Sequence, residues 1–436
     1  MRTSNGSGGF TAVSAYENIC NLNNQFQAAN MFFYMPDSIR FINNNDYFNA
    51  LTFDSLFAMI NNSYVPRTVN IYFTNLSQLG LCGFATLPNP GPPPAGNDDG
   101  AIVMSFSCSG PNNPILAHEA GHYFGLPHTF EGTASFPNQS FAELVTRNPN
   151  ETGGRLSANC NTAGDRFCDT PADFIASRWA CPRSPANQAN DFNGDAFQPD
   201  SSMFMSYAAD PCMSRFSEQQ MLVMRETLNG PNNPRGRLLD VPMPNYGVIT
   251  TSPAQLYPLA PDTVIPNYAV FRWKSIPNAD FYQLRIYVQN FTVLDTTLSD
   301  TSFISTGSSI RQNREHLWEV RGLNGANLCT PYTNRQNFYA GPFSLNAGVR
   351  TNPLNQIRVY PSFLRNHEPL HIKSLPGQTE VQLIISSLSG NIVYQTQLFE
   401  TSDIASIKLP ELSEGLYILQ LEQNQNFFRQ KIVIIP

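Results

Sequence analysis

The eleven residues from His118 to His128, HEAGHYFGLPH, constrain this chain more than any other stretch. Three of the six histidines in its 436 residues fall inside them. His118 and His122 are four apart, so on a helix they share one face, one turn from each other. Glu119 lies one step round the same turn. Gly125 supplies the positive-φ residue that ends such a helix and bends the chain back, carrying His128 to a third corner. Three imidazole nitrogens round one ion leave a fourth tetrahedral position open for water, the arrangement of a catalytic zinc rather than a structural one. A bare HExxH occurs on many helices whose histidines are merely solvated. The full H-E-x-x-H-x-x-G-x-x-H string is far more specific, and it predicts a zinc site.

The string resembles that of the metzincin metallopeptidases, which implies a methionine turn beneath the metal. MFMSY (Met203 to Tyr207) follows the third histidine at a workable distance. On that resemblance Met205 is the cushion and Tyr207 leans toward the zinc; alone, the segment reads as a buried methionine-rich loop. HTFEG (His128 to Gly132), NCNTAGDRFCDTPAD (Asn159 to Asp173) and MSYAADPCMSRFSEQQ (Met205 to Gln220) narrow the resemblance to the pappalysin branch, over roughly the first 240 residues.

The pappalysin resemblance carries further expectations. Its GDxxxDTP segment lies near a calcium ion, so Asp165 and Thr170 are implied as ligands, oxygen donors of the kind that suits Ca²⁺. The ordinary alternative is a turn in which Asp and Thr bond their own backbone. A Cys181–Cys212 disulfide is implied as well. The partner that the branch has for Cys160, near residue 190, is absent; Cys160–Cys168 and Cys82–Cys108 are pairings that stay open. In that family the strand before the Pro-rich loop, here Leu81 to Leu87, is a sheet edge to which substrate adds as an antiparallel strand, with Gly83 letting the substrate backbone come close. Arginine-selective relatives place an aspartate just before the cysteine matching Cys212. Here Pro211 stands there and the carboxylate comes one residue earlier, at Asp210. The expectation is a basic preference (Arg or Lys) directly after the scissile bond, weaker than in those relatives.

A length of 436 residues exceeds what one hydrophobic core serves and suggests about three domains. With net charge −7 and no basic cluster, the chain is not expected to bind nucleic acid or an anionic membrane surface. No apolar run approaches the roughly 20 residues of a membrane span. Eight cysteines without a close CxxC pair, scattered through a chain with only 14% charged residues, suggest disulfides in an oxidising compartment. The opening MRTSNGSGGF has no apolar h-region and is not a secretory leader, so a leader and a pro-segment are expected upstream in the parent protein. Nothing before residue 100 is suited to occupying the metal.

Apolar residues at three- and four-residue intervals predict helices from Ser14 to about Met31 and from Leu51 to Ile60. Strands are predicted at Ser38 to Ile42, Thr68 to Asn75, LCGFATLP and AIVMSF, with a turn-rich loop, PNPGPPPAGNDDG, between the last two. This element order resembles the upper half of a metzincin, and the resemblance implies a multidomain fold class: an α+β metzincin catalytic domain, a twisted mixed sheet plus zinc helix, over 1–240, then a linker over 241–250 and two all-β, sandwich-like domains. The first, 251–345, sets Trp273 and Trp318 on strands and resembles a fibronectin type III sandwich, with a spacer or exosite role. His316 on one of its strands reads as packed or surface. In the second, 346–436, the pieces VYPS, LSGNIVY (turning at Ser389-Gly390-Asn391), LSEGLYILQL and KIVI resemble the C-terminal sorting domain of type IX secretion, which directs passengers across a Gram-negative outer membrane. His367 and His371 read as surface residues there.

These readings converge on a secreted or cell-surface zinc endopeptidase. His118, His122 and His128 hold one Zn²⁺, Glu119 is the general base, and Tyr207 donates a hydrogen bond to the developing oxyanion. Its partners are polypeptide substrates and, through the C-terminal domain, the secretion machinery. The competing class is a catalytically silent adhesin that binds through its sandwich, and a third is a zinc enzyme acting on a non-peptide bond.

Overall fold

The computed structural model describes residues 1–88, 100–110, 112–133, 141–182, 189–230, 234–306, 308–342, 357–373, 381–387, 391–398, 404–423 and 426–435. It divides into two compact units, Met1–Phe343 and Ser344–Pro436.

In the first unit, helix α1 (Ala12–Phe26) starts where the Thr11 side chain accepts from Ser14 N, and it buries Tyr16, Ile19, Leu22 and Phe26 along one stripe. Helices α2 (Asn45–Phe48) and α3 (Phe53–Ser63) follow, the latter opened by a Thr52/Ser55 capping box. Strands β1 (Asn70–Thr74), β2 (Gly83–Ala85) and β3 (Ala101–Ser105) form a sheet in the order β1-β3-β2. β1 is parallel to β3, and β2 is antiparallel at the edge. Every residue of β3 is buried because both faces are covered. Ala101 and Val103 meet Leu56, Met59 and Ile60 of α3, whereas Ile102 and Met104 join the core that holds Leu22, Phe26 and the zinc-helix residues Leu116, Ala117 and Ala120. That helix is α4 (Ile115–Tyr123), and α5 (Glu218–Asn229) closes the domain behind a Ser217/Gln220 capping box.

The predicted strand from Ser38 to Ile42 does not form. Its neighbourhood makes one isolated bridge, Arg2 to Asn43. Met35 and Ile39 instead pack over Tyr16 and Ile19 of α1, and Met35 N donates to Gly325 O at 2.8 Å. The segment is thus committed to a neighbouring domain rather than to the sheet. Most of the Pro-rich loop, 89–99, lies outside the described residues.

That neighbouring domain is a sandwich of eight strands: β4 (Gln255–Tyr257), β5 (Thr263–Val264), β6 (Ala269–Trp273), β7 (Phe281–Val288), β8 (Phe291–Leu298), β9 (Ser302–Ser305), β10 (Arg314–Leu323) and β11 (Gln336–Ala340). Sheets β4-β6-β9 and β5-β11-β10-β7-β8 enclose Trp273 and Trp318, whose ring centroids are 6.4 Å apart. His316 is buried there, stacked on Phe338, and accepts from Arg311 N at 3.0 Å. The sandwich is fastened to α1. A Cys20–Cys329 disulfide crosses 309 residues of sequence, Tyr16 packs on Phe281 at 4.7 Å, and Arg285 pairs with both Glu17 and Asp295. Helix α1 therefore touches α4 and the sandwich at once, which fastens the sandwich to the N-terminal domain.

The second unit is another two-sheet all-β domain: β12 (Arg358–Tyr360), β13 (Phe363–Arg365), β14 (Pro369–Lys373), β15 (Val381–Ser387), β16 (Ile392–Leu398), β17 (Ile404–Lys408), β18 (Gly415–Gln423) and β19 (Asn426–Ile435). The sheets run β12-β14-β17 and β13-β19-β18-β15-β16. Alternate residues such as Leu383, Ile385, Leu419, Leu421, Ile432 and Ile434 make its core. The predicted hairpin strands pair as β15 and β16; Ser389 and Gly390 of its turn lie outside the described residues.

Candidate metal centre

Helix α4 presents His118 and His122 on one face, and Gly125, at φ +95°, ends it. Leu126 N bonds Gly121 O at 2.9 Å and Gly125 N bonds His122 O at 2.9 Å, the paired closure of a Schellman turn. The turn brings His128 back, and among the described residues these three histidines are the cluster able to hold a metal, their ligand atoms within 4.8 Å of one another. His118 Nδ1 donates to Phe204 O at 2.6 Å and His122 Nδ1 to Leu126 O at 2.7 Å. Each bond fixes the tautomer and leaves Nε2 with its lone pair facing the cluster.

Burial holds all three imidazoles below their usual range, helped at His118 and His128 by the neighbouring histidine charge; His128 falls to about 3. They are neutral, the form that ligates a metal. Nε2 of His122 and Nε2 of His128 lie 3.0 Å apart. With the His122 tautomer set by Leu126 O, its Nε2 lone pair faces His128 Nε2, the placement of two imidazole nitrogens round one shared cation. The residues present therefore fit zinc: three nitrogen donors, which leave one position of a tetrahedral ion to water or substrate.

Glu119 is 7% exposed, and burial pushes its carboxyl up to about 8. It faces the edge strand: a Cβ built on Gly83 would meet its carboxylate. The expectation gave Gly83 to the substrate backbone, but the space it leaves is taken by Glu119. Met203, Phe204 and Met205 are fully buried beneath the cluster, and Thr129 N donates to Met205 O at 3.1 Å. The Met205 sulfur lies where a Cβ on Gly121 would be, so the glycine inside HEAGH is what lets the methionine turn close on the helix. The Tyr207 ring stands 4.8 Å from that of His128 and 5.8 Å from that of His118. Its hydroxyl stays protonated, since burial and then the Glu119 charge raise its pKa.

Asp165 and Thr170 also meet, each 1% exposed. The Thr170 hydroxyl is 2.9 and 3.0 Å from the two Asp165 oxygens, and Phe167 N donates to Asp165 Oδ1 at 2.9 Å. Glu143 and Asp173 are buried beside them; burial first, then neighbouring carboxylates, lift Glu143 to about 8, and burial lifts Asp165 to about 7. The cation in this cluster is Arg147. It donates to Glu143 Oε1 at 2.8 Å, Thr170 O at 2.6 Å and Cys168 O at 3.1 Å. Only Glu143 Oε2 is left without a hydrogen bond, where calcium takes roughly 6–8 oxygens. As arranged these groups do not fit calcium: Arg147 stands on Glu143 Oε1 and the Thr170 carbonyl, and the Asp165 carboxylate and Thr170 hydroxyl bond each other and the Phe167 backbone.

The cysteines of the described residues pair as Cys20–Cys329, Cys82–Cys108, Cys160–Cys168 and Cys181–Cys212. The sequence reading missed the first, because nothing local links positions 309 apart. It also missed Arg147 and Arg178, which belong to no motif. Asp210 is not open: Arg178 pairs with its Oδ1, and Asn113 Nδ2 donates to its Oδ2 at 3.2 Å.

Residues 61–229 match a family model described as Pregnancy-associated plasma protein-A, and residues 358–435 match the Secretion system C-terminal sorting domain. An extracellular metalloprotease of Aspergillus fumigatus is 27% identical over 174 residues, which cover 36% of this chain and 43% of that protein. Mouse pappalysin-1 is 30% identical over 155 residues, 35% of this chain and 9% of its own length. The chain thus spans less than half the length of these curated relatives. Among solved structures, Tannerella forsythia mature mirolysin in complex with a cleaved peptide aligns over 53% of this chain and 89% of its own, at 17% identity and a TM-score of 0.37. The fn3 domain of human contactin 1 aligns over 24% and 89%, at 12% identity and a TM-score of 0.19.

Proposed function

We propose that this chain, in which residues 61–229 are a pappalysin-type metallopeptidase domain and 358–435 a type IX secretion sorting domain, is exported and hydrolyses peptide bonds of extracellular proteins. The observation that carries the reading is the trio of imidazoles converging beside a buried carboxyl, with the tautomers of His118 and His122 set by Phe204 O and Leu126 O. His118, His122 and His128 would hold zinc, which when bound lowers the pKa of a water and polarises a carbonyl.

The other parts of the reaction fall to the chain's own groups. Glu119 takes a proton from the attacking water as its oxygen adds to the carbonyl carbon. It then delivers that proton to the amine nitrogen as the C–N bond breaks. Burial favours the protonated carboxyl that this second half needs. The Tyr207 hydroxyl donates to the oxygen on which charge develops. Strand β2, an edge strand antiparallel to β3, offers its outer backbone groups to an extended polypeptide, and this is why the substrate is read as protein. No helix among the described residues is long and apolar enough to cross a membrane, and the C-terminal domain is read as a secretion address.

The test is a mixed peptide library incubated with the purified chain, with and without a chelator, beside metal analysis of Glu119→Ala. Chelator-sensitive cleavage by the parent is expected, with the variant retaining about one zinc per chain and losing turnover by roughly two to four orders of magnitude. Chelator-resistant cleavage, or a variant within a few-fold of the parent, overturns the assignment.

A further inference from the structure

The two segments that flank Tyr207 carry an ion pair that bears on which substrate side chain the site accepts. Arg178 and Trp179 run alongside the chain that leaves Tyr207: Trp179 N donates to Tyr207 O at 3.1 Å, and Ala209 N donates to Trp179 O at 2.8 Å. The Cys181–Cys212 disulfide ties the same two segments together a few residues further on. Between these fastenings the Arg178 guanidinium pairs with Asp210 Oδ1, while Asn113, just before the zinc helix, donates to Asp210 Oδ2. Both carboxylate oxygens are therefore engaged from within the protein.

Arg178 is the more open partner. Its side chain is 50% exposed against 35% for Asp210, and among the described residues Asp210 is its one side-chain partner. A guanidinium carries five N–H donors, so several remain for an incoming group. A lysine or arginine seated beside Tyr207 would meet this positive charge and would have to displace it from Asp210. A carboxylate there would receive a charge-assisted, forked pair instead.

Resting on the peptidase reading above, we infer that Arg178, with Asp210 as the residue that positions it, selects an acidic substrate side chain next to the scissile bond and rejects a basic one. This reverses the preference expected from Asp210 alone.

The experiment has two arms. Cleavage-site profiling by mass spectrometry compares the zinc-loaded parent with Arg178→Ala and Asp210→Asn. The parent should cut beside Asp or Glu at least fivefold more often than beside Lys or Arg. Arg178→Ala should lose that bias and turn toward basic residues as Asp210 is released, whereas Asp210→Asn, whose amide oxygen can still accept from and position Arg178, should keep it. A folding defect from breaking the pair would move both variants alike, so the split between them is diagnostic. A parent that prefers Lys or Arg, or an Arg178→Ala profile that matches the parent's, overturns the inference.

The second arm reads the same pocket without turnover. Calorimetry on zinc-loaded Glu119→Ala measures the affinity of otherwise identical alanine-based peptides carrying Glu or Lys. Several-fold tighter binding of the Glu peptide, weakened by salt and abolished by Arg178→Ala, supports the inference; equal or tighter binding of the Lys peptide overturns it. Absence of cleavage in the first arm sinks the peptidase reading alone, because this arm still decides the pocket.

Discussion

Gly83 leaves the space that Glu119 fills: a Cβ at position 83 would lie 2.5 Å from the Glu119 carboxylate oxygen and 2.5 Å from its Cγ. The edge strand and helix α4 are therefore matched at the Glu119 carboxyl, and the missing side chain of Gly83 is what makes room for it. No positive φ is involved, so this is a steric requirement rather than a conformational one.

Gly83→Ala should consequently damage turnover more than stability. The methyl group must push a buried carboxyl out of place, and a displacement of about 1 Å at a reacting group can cost on the order of 100-fold in rate. Metal content should stay at the parent's level, because no imidazole moves. Steady-state kinetics beside metal analysis checks this; a variant with parental kcat shows that Glu119 can work from another rotamer.

The link between Cys20 and Cys329 closes a loop of 309 residues. Loss of such a link typically costs about 2–4 kcal/mol. In Cys20→Ser/Cys329→Ser, the sandwich should become more exposed to protease between Asp240 and Tyr257 while the zinc site persists. Limited proteolysis followed by mass spectrometry is the measurement, and parental resistance would show that Arg285, Glu17 and the Tyr16–Phe281 contact suffice.

Acid should weaken the sandwich through His316. Burial lowers its pKa below 6.5 in the folded state, so the unfolded chain binds the extra proton first. Stability is then fully present above the unfolded pKa and is lost as pH falls from about 6.5 toward the folded value, with a slope of up to about 1.4 kcal/mol per pH unit. Urea unfolding of the metal-free chain at pH 7.5 and 5.5 should show a smaller loss in His316→Gln than in the parent. The other histidines contribute equally to both proteins and cancel in that difference.

Calcium should leave the parent's melting temperature within about 1 °C, because the Arg147 guanidinium already supplies the positive charge, on Glu143 Oε1 and the Thr170 and Cys168 carbonyls. Arg147→Ala strands Glu143 and should cost about 2 kcal/mol, the lower range for a buried pair since the arginine is one-third exposed. Its melting temperature should then rise with calcium more than with magnesium. A calcium-dependent rise in the parent would return Asp165 and Thr170 to the ligand role.

The sequence by itself determined whatever depends on short spacing. The three histidines and the glycine that turns the chain are contained in one local string, because helix periodicity and a positive-φ glycine dictate geometry over a few residues; the methionine turn rests on a family resemblance. The alternation of the strands announced two all-β domains for the same reason. Only the tertiary structure decided what long-range contact controls. Ser38 to Ile42 reads as a strand, yet its neighbour Met35 is bonded to Gly325 and the segment packs on α1. Asp165 and Thr170 read as calcium ligands until Arg147 is seen on the oxygens around them. Asp210 reads as a free carboxylate until Arg178 and Asn113 close on it from other parts of the chain. A charge is defined by what folds against it, and no periodicity in one sequence encodes a partner 32 or 97 residues away.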